Sequence, residues 1–150
     1  MNIVVVGSLN MDLVVRILKI PRPGETLLGG VFKTFPGGKG ANQAVAAAQL
    51  GAHVTMIGCV GNDSFGKEMR SALANEGIET GHVLIHPDEA TGVALIQVDA
   101  QGQNSIAVAS GTNLRLTNID VEKAMQAIKG FDALVMPLET PLETIDLLQK

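Results

Sequence analysis

The chain has 150 residues, of which 46% are hydrophobic and 17 are Gly, a globular composition that is neither disordered nor fibrous. A chain this long buries roughly 68–70% of the surface its unfolded form exposes, so it suits one domain or part of a larger one. A formal charge of −4, with four Phe and no Trp or Tyr, supplies neither a basic field nor stacking platforms, which excludes nucleic acid as a partner.

"NIVVVG" at the N-terminus is a continuous β-branched run ending in Gly7, the pattern of a strand buried on both faces in a parallel sheet. It has no basic flank and is too short for a signal peptide, and no apolar stretch approaches the ~18 residues of a membrane span. A cytoplasmic protein that does not engage a membrane is expected. "DLVVRI" and "TLLGGVFKTF" are strand-like segments joined by a turn at "PRPGE", with Gly29 and Gly30 predicting a bend or bulge.

Ala41 to Leu50 predicts a small-residue helix closed by Gly51. "HVTMIGCVG" is the next strand, and Cys59 within it reads as a buried, inert thiol. Asn62, Asp63 and Ser64 offer caps for a helix through about Asn75, with Phe65, Met69, Ala72 and Leu73 on one face and Gly77 at its end. "VLIH" is a short strand. "TGVALIQV" and "NSIAVAS", joined through Gly102, predict a hairpin. Thr117 or Asn118 caps a helix through Lys129, "ALVMP" is a further buried strand, and Thr140-Pro141-Leu142-Glu143 starts a last helix.

Strands alternating with helices predict an α/β fold, with a mainly parallel sheet flanked by helices as three layers. The two excursions, at about 13–35 and 92–109, predict a separate small antiparallel sheet. The final helix has no following strand to dock beside, so the chain is expected to be the N-terminal part of one about twice as long. His53, His82 and His86 lack metal-ligand spacing with Cys59 or an acid. Met56, Met69, Met125 and Met136 read as core filler.

"TFPGGKGANQA" places a glycine-rich loop with Lys39 before the first helix. The nucleotide loop G-x-x-x-x-G-K-[ST] fails twice, because Lys33 stands where its first Gly belongs and Gly40 replaces the Ser or Thr. The dinucleotide fingerprint fails at Gln43. A helix N-terminus with room for close approach still favours an oxygen-rich ligand. "GSLNMD" sets Asn10 and Asp12 two apart at the end of the first strand, so both point to one side. Glu139 follows "ALVMP" in the same way. Ligands bind at the carboxyl ends of parallel strands. There Asp12 and Glu139 accept hydrogen bonds, Lys39 donates, and Asn10 and Asn42 do both. That set suits a sugar or polyol. Taken singly, the same residues read as turn formers, helix caps or first-turn contacts.

"GSLNMD", "PRPGET", "PGGKGANQAVAAAQLGA", "IGCVGNDSFG" and "TGVALIQVDAQGQNSI" resemble the ribokinase-like carbohydrate kinases over essentially the whole chain. The Gly-Gly-Lys-Gly-Ala-Asn loop, Gly51 and Gly61 fall at the family's spacings. The resemblance implies a single ribokinase-like domain of which residues 1–150 are the N-terminal part. It also implies a β-lid over the sugar site that mediates homodimerisation, and transfer of the ATP γ-phosphoryl to the 5-hydroxyl of ribose with Mg2+ and a monovalent cation. Asn10, Asp12, Gly38, Lys39, Asn42 and Glu139 would bind the sugar, with Ala94 and Ile96 as apolar lid contacts. The family's Gly-Ala-Gly-Asp element, which carries the catalytic base and anion hole, has no match in the sequence. Asn75-Glu76-Gly77-Ile78 does not match its Asn-x-x-Glu element either. The base and the nucleotide site are therefore expected beyond residue 150, and the segment alone is expected to be inactive. Pro137 departs from the family by removing an N–H near Glu139. A non-catalytic sugar-binding or dimerisation module, and a kinase for another furanose or nucleoside, remain as alternatives.

Overall fold

The computed structural model describes residues 1–141 and Glu143. The helix expected from Thr140 onward therefore falls largely on residues outside the described ones. Among the described residues, eight strands form two four-stranded sheets. The first sheet contains β1 (Asn2–Val6), β4 (His53–Gly61), β5 (Glu79–His86) and β8 (Ala133–Val135), in the order β5-β4-β1-β8. Every pairing in it is parallel.

β1 and β4 are buried on both sides, which is why they are unbroken apolar runs rather than alternating ones. Val5, Val54, Met56 and Val60 point to one face. There they meet Ala41 and Ala44 of α1 (Lys39–Gln49) and Met69 and Leu73 of α2 (Ser64–Asn75). Val4, Val6, Ile57 and Cys59 point to the other face, against Val121 and Ala124 of α3 (Asn118–Ala127). Each fully buried Val, Ile or Met contributes about 1.5–3 kcal/mol of transfer free energy. Cys59 is buried, and burial pushes its thiol up to about 11, so it is an inert core residue as expected. No helix among the described residues is long and apolar enough to cross a membrane.

The second sheet has the order β3-β2-β6-β7, from β2 (Asn10–Arg16), β3 (Val31–Gly37), β6 (Gly92–Val98) and β7 (Asn104–Ala109). Both excursions join it, as expected, but it is mixed rather than wholly antiparallel. β2 and β6 run side by side in the same direction, flanked by antiparallel β3 and β7. The cause is topological: β2 leaves the end of β1, and β6 leaves the end of β5, so both depart from the same edge of a parallel sheet. The strand expected from Thr26 begins only at Val31, because Gly29 and Gly30 take positive φ values of 95° and 115° just before it. A 3-10 helix at Gly111–Arg115, which the sequence pattern does not announce, links β7 to α3.

Candidate functional site

β1 ends at Val6, and the chain crosses to the second sheet through Gly7, Ser8 and Leu9. α1 begins over this crossing. Gly38 caps it with φ 94°, and a side chain there would stand 2.7 Å from the Ser8 carbonyl oxygen. A side chain on Gly40 would stand 2.6 Å from the backbone of Gly7. The glycine-rich loop is thus what lets the helix N-terminus lie directly on the end of β1.

The orphan donors of that N-terminus are taken from within the chain. The Lys39 N–H donates to Glu139 Oε2 at 3.4 Å, the Gly40 N–H to Ser8 Oγ at 3.4 Å, and the Ala41 N–H to the Ser8 carbonyl at 3.1 Å. Ser8 Oγ donates to Glu139 Oε2 at 2.6 Å, and Lys39 Nζ to Glu139 Oε1 at 2.5 Å. The Glu139 carboxylate is thereby held at the N-terminus of α1, where the helix dipole favours negative charge. Burial pushes the Glu139 carboxyl up, but the hydrogen bonds from Lys39 and Ser8 outweigh it and hold the group below the usual carboxylate range.

Asp12 shifts the other way. Burial, and then the charge of Glu139, raise it above its ordinary value. Its carboxylate lies against Gly37, where any side chain would collide with it. In-register pairing gathers the lid residues on the same face: Asn10 opposes Gly92, Asp12 opposes Ala94, and Val14 opposes Ile96. Ala94 is buried directly beside Asp12, and Ile96 follows one step outward. A cleft of about 390 Å³ is lined by Ser8, Asn10, Ser110, Asn113, Glu139 and Thr140 among others.

The structure brings Asn10, Asp12, Gly38, Lys39 and Glu139 to one place, but Asn10 and Asp12 stand on β2 of the second sheet rather than at the end of the first strand, because the chain has already crossed over at Gly7–Leu9. Asn42 is exposed one turn further along α1 and borders a second groove with Pro36, Val45 and Glu76. Pro137 does not draw Glu139 away: β8 stops before it, and the Pro137 carbonyl accepts the Glu139 N–H at 2.8 Å. Ser8 and Asn113 are site residues that sequence reasoning missed. Ser8 sits inside "GSLNMD" and its position was readable; Asn113 acts across 104 positions and left no local pattern. The histidines stay outside the site, and His86 Nδ1 accepts the backbone N–H groups of Asp88 and Glu89 in a turn. Among the described residues no three His, Cys, Asp or Glu side chains gather as a metal site.

Residues 1–150 match the model of the pfkB family of carbohydrate kinases. The chain is 48% identical to ribokinase from Haemophilus influenzae, over 97% of this chain and 48% of that protein. Ribokinase from Giardia lamblia superposes with a TM-score of 0.86 at 32% identity, over 98% of this chain and 44% of that one. Arabidopsis thaliana ribokinase, solved with ribose and ATP, superposes with a TM-score of 0.79 at 31% identity, over 97% of this chain and 49% of that one. The chain thus spans about half the length of the relatives it matches.

Proposed function

The chain belongs to the pfkB family of carbohydrate kinases, and from that premise we propose that residues 1–150 are the N-terminal, sugar-binding part of a ribokinase-type enzyme. Its reaction is transfer of the ATP γ-phosphoryl group to the 5-hydroxyl of ribose. The observation that carries the proposal is the meeting of Asn10 and Asp12 of β2 with Lys39 and Glu139 where the chain crosses from β1 to the second sheet, beside Ala94.

Asp12 accepts hydrogen bonds from adjacent sugar hydroxyls, and its partial burial makes those bonds count. Glu139 has its two oxygens on Lys39 and Ser8, so it holds the lysine in place and offers its remaining lone pairs to the sugar. Asn42 lies three residues after Lys39 on α1, at the border of the neighbouring groove, and is assigned to the sugar as a further donor and acceptor. Ala94 and Ile96 cover the apolar face of the ring. Such positioning is most of what a protein contributes to phosphoryl transfer. No residue here is assigned as the base that takes the hydroxyl proton. ATP, Mg2+ and a monovalent cation belong to the whole enzyme, with the base and nucleotide site placed beyond residue 150. Mg2+ supplies charge neutralisation at the phosphates when bound, and the donor set of the described residues does not fit it.

The second sheet serves as the lid, and we assign a homodimer through it. Phe35, Val31, Ile106 and Val108 share the Asp12 face and are about half exposed, at 47%, 57%, 53% and 57%. A cytoplasmic location accords with a kinase that draws on ATP. Calorimetric titration of the full-length protein tests the sugar site: ribose binds, fructose and adenosine bind more weakly, and Asp12→Ala abolishes the ribose signal. Tightest binding of adenosine would reassign the enzyme as a nucleoside kinase.

A further inference from the structure

Asn113 is 3% exposed in the 3-10 helix, and its side chain makes four hydrogen bonds. Its Oδ1 accepts the Leu9 N–H at 2.8 Å. Its Nδ2 donates to the carbonyls of Leu9 at 3.1 Å and Ser110 at 3.0 Å, and to Asn10 Oδ1 at 2.7 Å. The orientation of a side-chain amide follows from its partners. A backbone N–H can only donate, and a carbonyl can only accept, so Leu9 and Ser110 together leave Asn113 a single orientation. That orientation turns a donor toward Asn10. The two Nδ2 hydrogens of Asn113 are shared among three acceptors, and an amide nitrogen cannot accept. The Asn10 atom facing it at 2.7 Å is therefore Oδ1, and the group Asn10 turns to the cleft is its Nδ2, with N–H donors and no acceptor.

The surroundings hold this pair in place. Gly92, opposite Asn10, leaves room for both amides, since a side chain there would collide with Asn10 Oδ1 and Asn113 Nδ2. Thr112 Oγ1 donates to the Cys59 carbonyl at 3.0 Å, which fixes the 3-10 helix to β4. Two rigid elements therefore determine the polarity of a third.

We propose that Asn113 is a positioning residue of the sugar site: it fixes the Asn10 amide so that Asn10 meets the sugar with N–H donors, selecting an oxygen that accepts. The proposal rests on the sugar-kinase reading above. Asn113→Asp keeps the acceptor for Leu9 but loses the donors to Asn10 and to the Leu9 and Ser110 carbonyls, so the Asn10 amide reverses and turns its oxygen to the cleft. The loss at the two carbonyls is common to the wild-type and Asn10→Ala backgrounds and is read from the latter.

The test is a double-mutant cycle in the full-length enzyme, with Asn10→Ala, Asn113→Asp and their combination, read as KM for ribose against kcat. Asn113→Asp alone is expected to raise KM roughly ten-fold with kcat little changed. In the Asn10→Ala background the same substitution is expected to change KM several-fold less than in the wild type, the remainder reporting the lost bonds to the Leu9 and Ser110 carbonyls. If Asn113→Asp does not fold, as judged by circular dichroism, the cycle is run with Asn113→Ser, whose hydroxyl stops short of Asn10. Equal KM effects in both backgrounds, or no KM effect in the wild-type background, overturn the role of Asn113. A wild-type enzyme that phosphorylates no pentose overturns the sugar-kinase reading instead, and this proposal with it.

Discussion

Asp12 and Glu139 are neighbouring carboxylates that their surroundings drive in opposite directions. Burial and the Glu139 charge raise Asp12; for Glu139, burial is outweighed by hydrogen bonds from Lys39 and Ser8, and the group is lowered. A raised carboxyl is strained when ionised in the fold, so removing its charge stabilises above its folded pKa and does nothing once it is protonated. Asp12→Asn is therefore expected to raise the melting temperature at pH 7, with the gain vanishing on acidification through the raised Asp12 value. The same variant is expected to lose on the order of 3 kcal/mol in kcat/KM for ribose, through lost sugar positioning. Glu139 has the opposite sign: its contribution is present above the ordinary carboxylate range and is lost as pH falls through its lowered value. Melting curves of Asp12→Asn and Glu139→Gln between pH 7 and pH 3 should slope oppositely relative to the parent. Parallel slopes would show that the two groups do not differ in this way. Asn10 and Asp12 were legible because a spacing of two on a strand fixes a shared side. Asn113 was not, because its role comes from a contact across 104 positions that no local pattern encodes.

At the scale of elements, two loops turn donors and acceptors inward. The glycine-rich loop looked like an anion cradle, but its N–H groups are taken by Ser8 and Glu139. That outcome was not legible, since the acceptor arrives from a strand end far along the chain. Asp63 was legible as the cap of α2, and its Oδ1 accepts the Gly66 N–H at 2.7 Å. Its second function was hidden: it also accepts from the Thr91 N–H at 2.8 Å and the Thr91 hydroxyl at 2.7 Å, tying α2 to the root of β6. Burial raises the Asp63 carboxyl, but these hydrogen bonds outweigh it and lower it overall. Asp63→Ala removes a cap and leaves the buried Thr91 amide without its acceptor, at a cost on the order of 2 kcal/mol. Urea unfolding at pH 7 measures that loss. A change below about 0.5 kcal/mol, the range of ordinary surface substitutions, would contradict the dual role.

The chain joins a buried parallel sheet to a mixed sheet whose Asp12 face exposes Val31, Phe35, Ile106 and Val108 beside Arg16 and Lys33. The strand–helix alternation revealed the first sheet, and the two antiparallel excursions revealed the membership of the second. The parallel pairing of β2 with β6 was hidden, because strand direction across a sheet depends on where each strand departs from the core rather than on its own residues. The exposed Ile106 and Val108 make a dimer through this lid testable. Ile106→Asp is expected to convert a dimer to a monomer in sedimentation, and an unchanged dimer would place the interface elsewhere. The central claim is a sugar-kinase site organised around Asp12. It is tested most directly by ribose-dependent transfer of phosphate from ATP, followed by 31P NMR, in the full-length protein and its Asp12→Ala variant. The expected result is ribose 5-phosphate from the parent and about 100-fold slower formation from the variant, the equivalent of ~3 kcal/mol. Absence of any ribose phosphate from the parent, or equal rates from the two proteins, would contradict it.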